Sequence, residues 1–370
     1  MKVAIEARAL SNQGGGVNRY VRNLLTSLLK KGEELSCYPI IDRYSRVGLS
    51  ASHPIIVKRY GDIGLSWWLN YQVEKRLRGM DIDVMHYTKA DVPRKKRRPT
   101  VVTIYDVIPL LLPKGQKLSR RWYWPQALRR AAENSDHIIT ISEASKKDIS
   151  ERLQVNPDKI TVTKLSVEDG LITNLNQPAA ENPYILFVGT IEPRKNVGGL
   201  LRAFAKIHNQ IPQRLIIVGK PYKGGREWLR LANQLGIADK VEWKGYVKDV
   251  TLRQIYEQAQ LFVWPSVYEG WGFPAQEAMA CGVPVIVSNG GALPEVVGDA
   301  GEIVNFGTEN VADRIKDQEF IDQLGERMLS VLGNPTRQAQ MRERGRKRAR
   351  LYNWDMVATQ TVDVYKKVME

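Results

Sequence analysis

Tyr184-Ile185-Leu186-Phe187-Val188-Gly189-Thr190-Ile191-Glu192-Pro193-Arg194-Lys195-Asn196 is the stretch on which the fold turns. Five apolar residues closed by a glycine have the length and composition of a strand buried on both faces. Asn196 is a good helix cap, and the segment from Leu200 to His208 continues as a helix. A strand, a short turn and a helix in that order form half of a βαβ unit, which requires a parallel sheet.

Outward from this unit the same alternation recurs. Leu215–Val218, Val241–Trp243, Leu261–Trp264 and Val285–Ser288 read as further strands, with helical segments near Trp228–Leu235 and Leu252–Gln258. Towards the N-terminus the strand candidates are Val3–Glu6, Cys37–Ile41, Val84–Tyr87, Val101–Tyr105, His137–Ile141 and Ile160–Leu165. Between the first two, Val17, Tyr20, Val21, Leu24, Leu25 and Leu28 keep the three-and-four spacing of a helix with one buried face. The sequence thus predicts an α/β protein with two doubly wound sheets.

A chain of 370 residues is long for one core and suits two domains. Ser166–Pro183 lacks periodicity and carries Asp169, Gly170, Asn174, Asn176 and Pro178, the composition of a linker. The expected division is 1–172, 173–350, and a last helix in 351–370 that packs back on the first domain through Tyr352, Trp354, Val357 and Tyr365.

Composition narrows the function. Met1–Leu10 lacks the apolar run of a signal peptide, and no stretch reaches the length of a membrane span. Cys37 and Cys281 are the sole cysteines, which gives no disulfide framework and suits a reducing cytoplasm. Lys and Arg outnumber Asp and Glu by 30 to 18 in residues 1–175 and by 25 to 22 in 176–370, so most of the net +15 lies in the first half. That asymmetry points to an anionic partner for the first half: nucleic acid, a membrane surface or a phosphorylated acceptor.

Three loops carry the chemistry, each leaving the carboxyl end of a strand, where open parallel sheets bind ligands. Gly14, Gly15 and Gly16 precede the first helix and present backbone amides at its N-terminus, although Arg19 breaks the dinucleotide fingerprint and a plain flexible turn competes as a reading. In the second loop, after Gly189, Arg194 and Lys195 supply a fork of donors beside a point charge, a pair able to grip a diphosphate without a divalent cation. A solvated basic turn is the alternative. The third is Tyr268-Glu269-Gly270-Trp271-Gly272-Phe273-Pro274-Ala275-Gln276-Glu277. Pro274 suits a first helical turn, Gly272 and Phe273 offer amides, and Glu277 is expected in that opening turn. Glu269 and Glu277 could each accept hydrogen bonds from vicinal hydroxyls, one from a hexose and one from a ribose, or serve as a loop charge and a helix-dipole partner.

These residues resemble the Glu-x7-Glu signature of retaining glycosyltransferases of family four, of the GT-B fold. The likeness extends to the glycine loop, Gly189-Thr190 with Pro193-Arg194-Lys195-Asn196, Val218-Gly219, Gly245-Tyr246-Val247 and Met279-Ala280-Cys281-Gly282-Val283-Pro284-Val285. It implies two Rossmann-like domains facing across a cleft, with the nucleotide sugar mainly on the second. It further implies that Glu269 binds donor-sugar hydroxyls, Glu277 the ribose, Arg194 and Lys195 the diphosphate, and the backbone at Tyr246 and Val247 the base. Gly15 and Gly16 would close over the phosphates. Family members transfer with retention, by a front-face route in which a donor phosphate oxygen takes the acceptor's proton; a double displacement through Glu269 stays open. Where many relatives have His-Asp, this chain has Tyr105-Asp106, and tyrosine shuttles protons poorly near neutral pH. His86 is a substitute, or a structural histidine.

Arg94–Arg98 and the Trp122-Tyr123-Trp124 run among the basic residues of Lys117–Arg130 suit an anionic membrane face. Trp67, Trp68 and Tyr71 extend that patch or belong to the core. Arg342–Arg350 would be a second basic face for a nucleic-acid binder, but no nucleic-acid module accompanies it and no such partner is expected. The expectation is therefore a cytoplasmic enzyme, peripheral at most to the inner membrane face, with no cofactor and no metal. It would move a hexose from a UDP-hexose, placed slightly ahead of GDP-mannose, to a glycan or lipid-linked acceptor of a surface polysaccharide. A nucleotide-sugar epimerase or hydrolase is the alternative.

Overall fold

The computed structural model describes residues 1–11, 15–32, 34–42, 54–57, 68–113, 118–168, 170, 182–221 and 225–370. Gly14, Trp67, Lys117 and most of the expected linker lie outside the described residues.

The chain divides into two compact units, one of Met1–Leu110, Gln116–Leu165 and Tyr352–Glu370, the other of Leu111–Gly115 and Ser166–Leu351. Each holds one sheet, and every pairing described is parallel. The first sheet comprises β1 (Lys2–Glu6), β2 (Ser36–Ile41), β3 (Ile55–Ile56), β4 (Val84–Tyr87), β5 (Thr100–Thr103), β6 (His137–Thr140) and β7 (Ile160–Val162), in the order β3-β2-β1-β4-β5-β6-β7. The second comprises β8 (Tyr184–Val188), β9 (Arg214–Val218), β10 (Val241–Gly245), β11 (Leu261–Trp264), β12 (Val285–Ser288) and β13 (Glu302–Val304), in the order β10-β9-β8-β11-β12-β13. Both sheets reverse direction of growth next to their first strand. Because crossovers between parallel strands are right-handed, that reversal sends the helices to opposite faces. The expectation of two doubly wound sheets is met.

The strand cores explain the pattern in the sequence. All residues of β8, β11 and β12 are buried, as central strands covered on both faces must be. The first helix, Gly16–Leu29, buries Tyr20, Val21, Leu24, Leu25 and Leu28 along one stripe. The final helix, Trp354–Lys367, belongs to the first unit, and its buried Trp354, Val357 and Tyr365 pack there. Trp354 lies edge-on to Tyr20 with ring centroids 6.2 Å apart, and the Tyr365 hydroxyl is 2.6 Å from His86 Nδ1.

Among the described residues no helix is long and apolar enough to cross a membrane.

Candidate active site

In the second unit the switch point falls between β8 and β11, so the loops that leave these neighbouring strands share one end of the sheet. They are the Arg194-Lys195 loop and the Glu269 loop. The first makes a short 3-10 turn, Pro193–Lys195, then passes into the helix Val197–Ile207, whose first turn is capped by Asn196 Oδ1 accepting from Gly199 N at 3.1 Å. Pro193 and the cap fix the two ends, leaving Arg194 and Lys195 little choice of direction. The loops are stitched together: Arg194 O accepts from Val267 N at 2.9 Å and from Ser266 Oγ at 3.1 Å.

The contacts they create are direct. Lys195 Nζ lies 2.5 Å from Glu269 Oε1, and Arg194 Nη1 lies 2.9 Å from Glu269 Oε2. Arg194 also donates to Tyr268 O at 2.8 Å and to Glu192 Oε1 at 2.6 Å. The Lys195 ammonium stands 4.7 Å from the Trp264 ring centroid, at the end of β11. Burial by itself would raise the Glu269 carboxyl. The Arg194 and Lys195 charges, with hydrogen bonds from Lys195 and Ser266, outweigh it and hold that carboxyl at about 2. Burial and the neighbouring Arg194 charge pull Lys195 below its ordinary value, and Glu269 opposes them.

Glu269 is anchored from a third loop, after β12, that sequence reasoning passed over. Glu269 O accepts from Ala292 N at 2.9 Å, and Glu269 N donates to Gly290 O at 3.3 Å. Gly291 has φ +62°, and a Cβ there would fall 2.3 Å from Glu269 O. Only glycine suits both the left-handed backbone and the close approach. The signal available was the glycine pair Gly290-Gly291 directly beyond a buried strand.

Gly270 and Gly272 are buried, and Phe273 and Pro274 half-buried, at the start of the helix Phe273–Ala280. Gly272, the residue before that helix, has φ +146°, and a Cβ there would meet Leu293 Cδ2 at 2.7 Å. Glu277 lies in the second turn of the helix instead of the opening turn, because the helix begins at Phe273. It is 3% exposed, and its Oε2 accepts from Tyr256 Oη at 3.0 Å. Gly189 directly follows β8, its N–H donating to Val218 O at 2.9 Å. Tyr246 and Val247 follow β10, two strands from β8; Tyr246 is 64% exposed, with Lys220 Nζ 5.1 Å from its ring centroid.

The remaining candidates belong to the first unit. Gly15, at φ +90°, and Gly16 are exposed at the start of the helix Gly16–Leu29. Tyr105 donates its hydroxyl to Thr88 O at 2.8 Å, and Asp106 Oδ1 accepts from Ile108 N at 3.0 Å. His86 is fully buried, with Nδ1 2.6 Å from Tyr365 Oη and Nε2 2.8 Å from Thr103 Oγ1. Burial depresses its pKa to about 3. It is the neutral structural histidine of the two readings.

Two arginines of the second basic face are used internally, while Arg344, Lys347 and Arg350 are exposed. Arg342 donates to Gly282 O at 3.1 Å, and Arg348 to Glu295 O at 2.6 Å and Val296 O at 3.2 Å. These carbonyls close the helices Phe273–Ala280 and Leu293–Val297, where cations are favoured. Among the described residues no cluster of His, Cys, Asp or Glu is arranged to hold a metal ion.

Comparison with known proteins assigns the family and the fold. Residues 172–348 match the family Glycosyl transferases group 1, and residues 14–168 match Glycosyltransferase Family 4. O-antigen chain mannosyltransferase B of Escherichia coli is 30% identical over 297 residues, 76% of this chain and 74% of the relative. An MMP alpha-(1->4)-mannosyltransferase of Mycolicibacterium hassiacum is 34% identical over 257 residues, 68% of this chain and 59% of the relative. Among solved structures, a sucrose-phosphate synthase of Thermosynechococcus elongatus superposes with a TM-score of 0.76 at 21% identity, covering 99% of this chain and 98% of the other. WaaG, a glycosyltransferase involved in lipopolysaccharide biosynthesis, gives 0.73 at 16% identity over 98% and 99%. The chain therefore belongs to glycosyltransferase family 4, the group 1 glycosyl transferases, and is a glycosyltransferase of the GT-B fold.

Proposed function

We propose that this glycosyltransferase moves mannose from GDP-mannose, with retention, to a growing surface glycan or its lipid-linked precursor. Sequence alone placed a UDP-hexose slightly ahead. The relatives shift the preference, since those from Escherichia coli, Mycolicibacterium and Salmonella reported as mannosyltransferases recur across the matches.

The observation that carries the reading is the convergence of Arg194 and Lys195 on Glu269 at the switch point of the second sheet. When a nucleotide sugar binds, its diphosphate is the natural ligand of the two cations. As the glycosidic bond breaks the diphosphate gains charge, and cations held in place by Pro193, Asn196 and the Trp264 ring stabilise it without reorganising. No divalent ion is needed for that step. Glu269 would then exchange part of its ion pairing for donor-sugar hydroxyls, and Glu277 would take the ribose. Tyr246 and Val247 would border the base, Gly15, Gly16 and Gly189 the phosphates, with Gly270, Gly272, Phe273 and Pro274 lining the sugar end. Tyr105 and Asp106 would lie on the acceptor side, in an acceptor-binding domain formed by the first unit. The basic Arg94–Arg98 run and the exposed Trp122 support peripheral contact with an anionic membrane.

A screen of radiolabelled GDP-mannose, UDP-glucose and UDP-galactose against mannose-terminated acceptors tests this, with the anomeric form of the product read by NMR. The expected result is an α-mannoside made from GDP-mannose alone. Free sugar or an epimerised nucleotide sugar, formed equally well without acceptor, would instead indicate a hydrolase or epimerase.

A further inference from the structure

The first unit carries a buried polar chain that the donor site does not use. It starts at Glu6, the last residue of β1, whose Oε1 accepts from Arg8 Nε at 2.7 Å and from Arg8 N at 2.8 Å. Arg8 Nη2 lies 3.8 Å from Asp91 Oδ2, and its guanidinium stands 5.0 Å from the Trp68 ring centroid. Asp91 Oδ1 in turn accepts the Tyr123 hydroxyl. On the other side, Thr88 Oγ1 donates to Glu6 O at 2.7 Å, and Thr88 O takes the Tyr105 hydroxyl at 2.8 Å. Tyr105 and Tyr123 are thus the two ends of one connected network.

Its place is as telling as its composition. β1 and β4 are the neighbours at which the first sheet reverses, so the residues just beyond them, Arg8 and Thr88 to Asp91, occupy this unit's own ligand-binding position. Glu6, Arg8, Thr88 and Asp91 are all buried, and burying three ionised groups carries a desolvation cost that packing a sheet does not require. The network ends on a ring that is not buried. Tyr123 is 44% exposed, yet it is fixed at its tip by a charge-assisted hydrogen bond and braced by Trp124, whose ring lies edge-on at 5.4 Å.

We propose that Tyr123 is an acceptor-sugar subsite, its face stacking the C–H side of a hexose in the acceptor glycan, with Asp91 as the positioning residue behind it. A pyranose offers an apolar face rimmed by hydroxyls, and a rigid tyrosine answers both with an apolar ring and a polar edge at small entropic cost. A ring that enters a membrane gains nothing from such anchoring; the neighbouring Trp122, 73% exposed, has the free projection expected there. The proposal rests on the glycosyl-transfer reading above and assigns the acceptor glycan a specific landing place.

The test is equilibrium binding of mannose, glucose and galactose disaccharides to the full chain saturated with GDP, alongside GDP affinity itself and binding to vesicles rich in anionic lipid. Tyr123→Ala should weaken the best-bound disaccharide about tenfold, the size of one good aromatic contact, and leave GDP affinity unchanged. Tyr123→Phe should weaken it about threefold, and so should Asp91→Asn, each measured at a temperature where its circular dichroism matches the folded wild type. Binding of no disaccharide, or equal binding by wild type and Tyr123→Ala, would overturn the subsite while leaving the donor assignment intact. So would loss of vesicle binding alone, which would make Tyr123 a membrane contact. Failure of the wild type to bind GDP or any nucleoside diphosphate would count against the transferase reading itself.

Discussion

Glu269 takes Lys195 on one carboxylate oxygen at 2.5 Å and Arg194 on the other at 2.9 Å, although the three residues come from loops more than seventy positions apart in the chain. The pairing means that neither cation waits in solvent: each is held and largely desolvated by the fold itself. On the proposed donor-site reading, a preorganised charge of this kind would do its work in the transition state, where the diphosphate becomes more negative. Arg194→Ala and Lys195→Ala should each slow transfer by about 10²- to 10³-fold with smaller effects on acceptor KM, measured by steady-state kinetics with labelled donor.

Glu269 also ties stability to pH. Its carboxyl titrates at about 2 in the folded protein against an ordinary 4.5, so the fold gains from its ionisation at every pH above about 4.5. The gain is lost as the pH falls from about 4.5 to about 2. Chemical denaturation across that window should show a steeper loss for the wild type than for Glu269→Gln, which is the less stable protein at neutral pH because Lys195 loses its ion-pair partner and Arg194 one of its two.

His86 acts in a different window. Its folded value of about 3 lies below the ordinary 6.5, so the unfolded chain takes up a proton that the folded one refuses. Stability should fall as the pH drops from about 6.5 to about 3, by about 1.4 kcal/mol per pH unit from this residue. His86→Gln should flatten that part of the profile, with the midpoints of urea denaturation as the readout.

Gly291→Ala tests the support behind the site. The substitution forces a Cβ against Glu269 O at a left-handed backbone position, a cost of about 1–3 kcal/mol. Thermal unfolding should show the destabilisation. Donor affinity should fall as well, because the strand-like pairing of Glu269 with Gly291 orients the carboxylate.

These relationships were unequally visible in the sequence. β8 and β11 end where their apolar runs end, since central strands buried on both faces leave no polar residue to blur the boundary. β3 and β13, two and three residues long at the sheet edges, escaped notice because so short a run carries no periodicity. Arg194, Lys195 and Glu269 were legible as separate loop residues; that they meet follows from the strand order, a non-local property. The Gly290-Gly291 support was missed because it acts through backbone contacts alone. Arg342 and Arg348 read as surface charge because their partners, helix-end carbonyls more than fifty residues away, leave no mark near them. The Glu6-Arg8-Asp91-Tyr123 chain was equally silent, its members being dispersed over 118 positions.

The most direct test of the cation-pair mechanism is calorimetric titration of GDP and UDP into the full chain in excess EDTA, for the wild type and for Lys195→Ala. The account predicts tight binding of a nucleoside diphosphate with chelator present, and at least tenfold weaker binding by the variant at a temperature where both proteins are folded. Binding that appears only when magnesium or manganese is added, or that ignores Lys195→Ala, would contradict it.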